Sequence, residues 1–135
     1  MARQFAARML NRWNPDDRLG ARGELIAVWY LRCRGFTILR RSWRTYLGEI
    51  DLIAVRRHTL VFVEVKTRRT HDRGHPAEAV TLAKQQQLTR LAMEFLKRHH
   101  LTNCRTRFDV IAITWPKQHW WPHIEHYVNA FEATQ

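Results

Sequence analysis

Asp51 and the triplet Glu64-Val65-Lys66 are the residues of this chain whose types and spacing could do chemistry. Side chains alternate faces along a strand, so Glu64 and Lys66 point the same way. Asp51 lies on the preceding strand. A tight turn at Arg57 and His58, or a wider one from Arg56 to Thr59, gives the same register, and that register sets Asp51 opposite Glu64. Cross-strand neighbours have Cβ atoms about 4.5–5.5 Å apart, and like charges there destabilise a sheet. Two carboxylates about 4 Å apart repel by about 4 kcal/mol at an effective dielectric of about 20. A cation belongs in the gap. Mg²⁺, or Mn²⁺, suits an all-oxygen set, and Lys66 is a second neutraliser, placed to stabilise charge near an attacking water or a scissile phosphate. The chemistry such a set performs is cation-assisted phosphodiester hydrolysis.

The competing reading is a solvated salt-bridge cluster on an open sheet face. Against it, Leu60, Val61, Phe62, Val63 and Val65 make an almost continuous apolar run, typical of a strand covered on both faces. Acids and a lysine in that setting are costly unless they are partnered.

Other residues could support the site. Glu24 shares a helical face with Gly20, Ala27 and Leu31, where small neighbours permit close packing; it is either an additional ligand or an acid favourable to the helix dipole. Lys84 falls on the apolar stripe of a later helix and either reaches the site or a phosphate, or snorkels past the sheet edge. Arg68, Arg69 and Arg73 follow the site directly and are the best-placed contacts to backbone phosphates, the alternative being a solvated basic loop. His119, His123 and His126 fit no compact zinc spacing. Trp115, Trp120 and Trp121 could stack on bases, but covering the core is their expected role. Ser42 is the only serine, and no nucleophilic triad stands out.

These residues need elements to hold them. Asp16 and Asp17 precede a helix over about 17–34 that Gly35 ends. Strands follow at 36–44, 48–56 and 59–67, joined by short links into an antiparallel meander. A basic loop covers 68–75. A long helix from Pro76 to about His100 supplies the crossover to a fourth strand at 106–115, and a short edge strand is expected around 123–128. The fold class is thus α/β, a mixed sheet flanked by helices in the order αβββαβ. The division is a basic N-terminal arm over 1–15 and a single domain over 16–135.

The 135 residues suit one domain with one site. Lys and Arg number 23 against 12 Asp and Glu, a net charge of +11, so the expected partner is polyanionic. Nucleic acid leads, although charge alone is equally compatible with a membrane surface or ribosomal RNA. No apolar run approaches the roughly 20 residues of a membrane helix. Arg3, Arg8 and Arg12 interrupt the apolar stretches of the N-terminal segment, unlike a secretory signal. Two cysteines without a CxxC pair suit a reducing cytoplasm.

Gly23-Glu24, Gly48-Glu49-Ile50-Asp51-Leu52-Ile53-Ala54, Phe62-Val63-Glu64-Val65-Lys66-Thr67-Arg68 and Arg107-Phe108-Asp109-Val110 resemble the bacterial YraN family, within the PD-(D/E)XK nuclease superfamily. The resemblance runs from about Gly20 to Phe131. Ile50 stands where the superfamily has proline, and Ser42 where the YraN block has asparagine. The resemblance implies a restriction-endonuclease-like core, similar to archaeal Holliday-junction resolvases. It also implies a site in which Glu24, Asp51, Glu64 and Lys66 are catalytic, with Asp51, Glu64, Glu24 and the Val65 carbonyl on Mg²⁺. DNA, branched DNA included, is the implied partner ahead of RNA, and junction cutting would call for a homodimer. The alternative is a non-catalytic DNA- or RNA-binding protein that keeps the nuclease fold, or an RNA-associated assembly factor.

Overall fold

A computed structural model describes residues 15–70 and 80–134 of the chain. Its elements are α1 (Pro15–Cys33), β1 (Thr37–Thr45), β2 (Gly48–Arg56), β3 (Thr59–Arg68), α2 (Leu82–Arg98), β4 (Arg105–Thr114) and β5 (His123–Phe131). The five strands form one sheet in sequence order; β3 and β4 run parallel and the other pairs antiparallel. The expected order thus holds, with the last strand longer than expected. The first helix starts at Pro15, inside the span assigned to the basic arm; the rest of that arm lies outside the described residues.

Local sequence explains where the elements stop. Gly35 takes φ +86. Its N–H reaches the Arg32 carbonyl at 3.1 Å while the Phe36 N–H reaches Leu31 at 3.0 Å, so α1 ends in a Schellman motif with buried Leu31 and Phe36 beside the cap. Arg57 and His58 have φ 49 and 65. Positive values at both central residues are what a two-residue hairpin needs to follow the strand twist. This turn fixes Arg56 against Thr59, then Leu60 against Val55, and so on up to Leu52 against Val63.

The second helix corrects the reading that began it at Pro76. Val80 and Thr81 precede the helix, and the Thr81 hydroxyl accepts the Lys84 N–H at 3.2 Å as its N-cap. Val80 is buried among the core residues all the same.

Each face of the sheet carries its own core. Under α2, Ile50, Ile53, Leu60, Phe62 and Phe108 pack with Leu88, Leu91 and Phe95. Under α1, Leu52, Val61, Val63, Ile111 and Ile113 pack with Ala27, Val28 and Leu31. The layers are therefore helix, sheet, helix, and β3 is covered on both sides, as its apolar run predicts. Neither described helix is long and apolar enough to cross a membrane.

Helix α1 lies close on β3 at one point. A methyl group at Gly23 would run into the Thr67 hydroxyl and leave the Thr67 Cβ only 3.0 Å away. Alanine is better than glycine in a helix by about 1 kcal/mol, yet Gly23→Ala is expected to destabilise, because overpacking costs about 1–3 kcal/mol. Urea unfolding in a Thr67→Ala background should recover most of the loss. An equal loss in both backgrounds would show that this contact does not set the helix position.

Candidate metal centre

The β2–β3 ladder keeps its register up to Leu52 and Val63, one step short of Asp51 and Glu64. The expected register thus holds, and the ladder stops one step before the Asp51–Glu64 pair. The Asp51 side chain reaches over, and its Oδ2 accepts the Val65 N–H at 2.8 Å. On its other flank the ladder with β1 passes from Arg41–Leu52 to Trp43–Ile50, and Ser42, between those two partners, has φ 50. Asp51 thus sits one step beyond the β2–β3 ladder and opposite Ser42 in a β1–β2 register that does not shift there. Acids from neighbouring positions approach its carboxylate.

Two of those acids are Glu24 and Glu49. One carboxylate oxygen from each of Glu24, Glu49 and Asp51 lies within 4.8 Å of the others, and all three residues are partly buried. Glu24 projects from α1, next to the Gly23 contact, and accepts a long 3.4 Å bond from the Ser42 hydroxyl. Glu49 is also paired with Arg44, 2.7 Å away. Its approach was missed from sequence. Its position two residues before Asp51 on one strand was the available signal.

Glu64 is held differently. It is only 6% exposed, with Oε1 3.5 Å from Lys66 Nζ and 3.9 Å from Lys84 Nζ. Its Oε2 is buried without a hydrogen-bond partner. A lysine in the first turn of a helix opposes the macrodipole; for Lys84 the buried Glu64 charge offsets that. Gln87, one turn further along α2, donates to the Leu47 carbonyl at 2.8 Å. Its amide lies where a Cβ at Gly48 would stand, and the φ of +134 at Gly48 itself favours glycine. Gln87 thus ties the β1–β2 turn to α2 and positions the strand that carries Glu49 and Asp51.

The electrostatics follow from this crowding. Burial first, then the Glu64 charge, push the Asp51 carboxyl up to about 7, although the Val65 N–H and Lys84 pull the other way. Glu24 is raised as well, by burial and then by Asp51 and Glu49. A second buried acid behaves oppositely. Asp109 on β4 is fully buried, which raises it, but bonds from His126 (2.8 Å), Arg107 (3.0 and 3.2 Å) and the Asn129 N–H (2.9 Å) outweigh burial and hold it below the usual carboxylate range. Asp109 has its partners; Asp51 receives a single hydrogen bond, from the Val65 N–H, while the nearby cations pair with its neighbours, Arg44 with Glu49 and Lys66 and Lys84 with Glu64.

The expected phosphate contacts divide. Arg69 donates to the Trp115 carbonyl at 3.2 Å, and Arg68 lies 3.4 Å from the Thr114 hydroxyl, so both are anchored to the end of β4. Lys84 faces Glu64, and Arg73 lies outside the described residues. The three histidines do not converge: His126 bonds Asp109 and His123 pairs with Glu125 at 3.3 Å. Trp115 is buried as expected. Trp120 and Trp121 are exposed, which corrects their assignment to the core.

Fold and site together define a mixed α/β protein with a carboxylate–lysine cluster at the open end of a central hairpin. The chain belongs to the uncharacterised protein family UPF0102, whose model matches residues 23–113. It is similar to a UPF0102 protein of Rhodopirellula baltica, 45% identical over 123 residues, covering 89% of this chain and 74% of the relative. A UPF0102 protein of Geotalea uraniireducens is 46% identical over 117 residues, 87% of this chain and 91% of its own. One of Rhodococcus opacus is 48% identical over 116 residues, covering 84% and 95%.

The raised Asp51 pKa carries a signed consequence. The unfolded chain releases this proton near its ordinary value of 3.8 and the folded protein only near 7. In the absence of metal, this group's contribution to stability therefore declines as pH rises from about 4 to 7 and stays low above that. Asp51→Asn should melt above the wild type at pH 8 without divalent cation. Added Mg²⁺ or Mn²⁺ should raise the wild-type melting temperature at pH 8 by several degrees, since a free cation at a hundred times its Kd is worth about 2.7 kcal/mol. The gain should vanish in Asp51→Asn; scanning fluorimetry reads both effects, and an equal gain in the variant would remove Asp51 from the cation site.

Proposed function

We propose that this chain is a divalent-cation-dependent nuclease of the PD-(D/E)XK type, hydrolysing phosphodiester bonds in DNA. The observation that carries the reading is the convergence of Glu24, Glu49 and Asp51 within 4.8 Å, next to a buried Glu64 whose Oε2 has no partner. An unpartnered buried carboxylate oxygen costs stability unless a ligand completes it. The donors are all oxygens, which fits Mg²⁺ or Mn²⁺. Asp51 and Glu64 would hold the ion, with the Val65 carbonyl, Glu24 and the neighbouring Glu49 completing the set.

Bound there, the ion supplies Lewis-acid polarisation of the phosphate. The chain's own groups do the rest. Lys66 keeps an ammonium beside Glu64, where it orients the attacking water and stabilises charge as it grows on the phosphoryl oxygens. Lys84 offers a second cation on the same carboxylate. Arg68 and Arg69, at and just past the end of β3, would contact the phosphate backbone, as would Arg73 outside the described residues. The Val65 N–H keeps the Asp51 carboxylate aimed at the site. The net charge of +11 draws a polyanion to an otherwise acidic pocket. Cys33 and Cys104 are both exposed and unbridged, which fits a cytoplasmic protein.

Linear, branched and single-stranded DNA, and RNA, incubated with the protein and Mg²⁺, Mn²⁺ or chelator, test this. Cation-dependent cleavage of DNA is expected, falling by about 10²–10³ in Asp51→Asn and in Lys66→Ala, as when one transition-state contact is removed. Cleavage that survives both substitutions would overturn the mechanism. Tight binding without cation-dependent cleavage would instead favour a non-catalytic nucleic-acid-binding protein with the same fold.

A further inference from the structure

Three indoles stand out in solvent on one side of the molecule. Trp29, on α1, is 50% exposed, Trp121 45% and Trp120 88%. Trp29 meets Trp121 edge-on at 5.4 Å, and Trp120 lies 6.0 Å from Trp121. Leu25, one turn before Trp29, is 55% exposed. Large apolar groups gathered in this way on a surface mark a contact site. Arginines of α1 accompany Trp29 along the helix. From position 18 onward, the exposed residues of α1 include Arg18, Arg22 and Arg32 and no acid. The Arg22 guanidinium lies over the Trp115 ring, 4.5 Å from its centre.

This surface is fastened to the strand that carries the site. The Trp115 N–H donates to the Arg68 carbonyl at 2.8 Å and its indole N–H to the His119 carbonyl at 2.9 Å, while Arg69 donates to the Trp115 carbonyl. Arg68 is two residues past Lys66. Helix α1 presents Glu24 towards β1, at the carboxylates, and Arg22 towards the end of β4, at the tryptophans.

We propose that Trp29, Trp120 and Trp121 form a stacking platform for unpaired nucleotides, so that the nucleic acid reaching the carboxylates carries a single-stranded segment. The proposal rests on the nuclease reading for the site but concerns binding alone. Indole faces stack on base faces of any sequence, and flanking arginines track the phosphates. In a duplex those base faces are already stacked on one another and cannot be reached. A protein partner would find the aromatic patch but no use for the arginines of α1 beside it. An anionic lipid surface would match the charge but not the attachment to the residues following Lys66.

The test uses the full chain with Asp51→Asn and chelator, so that binding is read without cleavage and the two proposals fail separately. A labelled twelve-residue oligothymidylate and a blunt duplex of the same length are titrated by fluorescence anisotropy. Trp29→Ala/Trp121→Ala should weaken the single strand roughly tenfold or more and the duplex less than about twofold, given the usual contribution of a stacked base. Trp120→Ala, at the most exposed indole, gives a variant whose fold is not at risk and should weaken the single strand as well. Restoring aromatic rings with Phe at 29 and 121 should recover most of the affinity. Unchanged single-strand binding, or equal losses for both substrates, would overturn the platform. So would indole fluorescence that responds to anionic vesicles or to self-association, measured by sedimentation, but not to the oligonucleotide.

Discussion

Buried negative charge in a strongly basic chain is the constraint on which the rest of this structure depends. Glu64 lies in the middle strand of a sheet covered on both faces, and the architecture around it offsets that charge. Lys66 comes from the same strand and Lys84 from the first turn of α2, a position where the helix dipole disfavours a cation. The start of α2 is thus fixed by two demands, a Thr81 cap and a lysine within reach of Glu64. On the far side, Gly23 lets α1 lie against Thr67 and brings Glu24 towards Asp51. Both helices approach the same end of the hairpin, one delivering positive charge and the other negative.

The two buried aspartates show what distinguishes a scaffold acid from an available one. Asp109 is wholly enclosed, but an arginine, a histidine and a backbone N–H satisfy its oxygens and keep it ionised. Asp51 is enclosed less completely and receives one N–H, while three other carboxylates crowd it. Burial raises the free energy of both ions; only the partners differ. The opposite pKa directions of the two residues follow from that difference in partners.

Much of this was legible in the sequence because simple periodicities govern it. The apolar run from Leu60 to Val65 gave a doubly covered strand, and the short turn at Arg57 and His58 fixed the register up to Leu52 and Val63. Alternation along β3 put Glu64 and Lys66 on one side. What was not legible came from departures from regularity. Asp51 lies one residue past the β2–β3 ladder, and its side-chain bond from the Val65 N–H is not given by the register. The beginning of α2 was misplaced because Pro76 and Thr81 are both good starts, and the capping hydroxyl decided between them. Trp120 and Trp121 were assigned to the core by residue type, whereas the chain turns outward after Pro116.

Strand β1 forms one rim of the sheet, and an unpaired rim invites another chain to add a strand. Most of its side chains are exposed, with Arg40, Arg41 and Arg44 among them. A register shift between Ile38 and Arg40 and the positive φ at Ser42 break its backbone pattern. A second copy approaching edge to edge would meet a row of like charges and carbonyls out of step with its own. The broken pattern of β1 therefore guards the molecule against edge-to-edge aggregation, so a substitution that straightened β1 would endanger solubility.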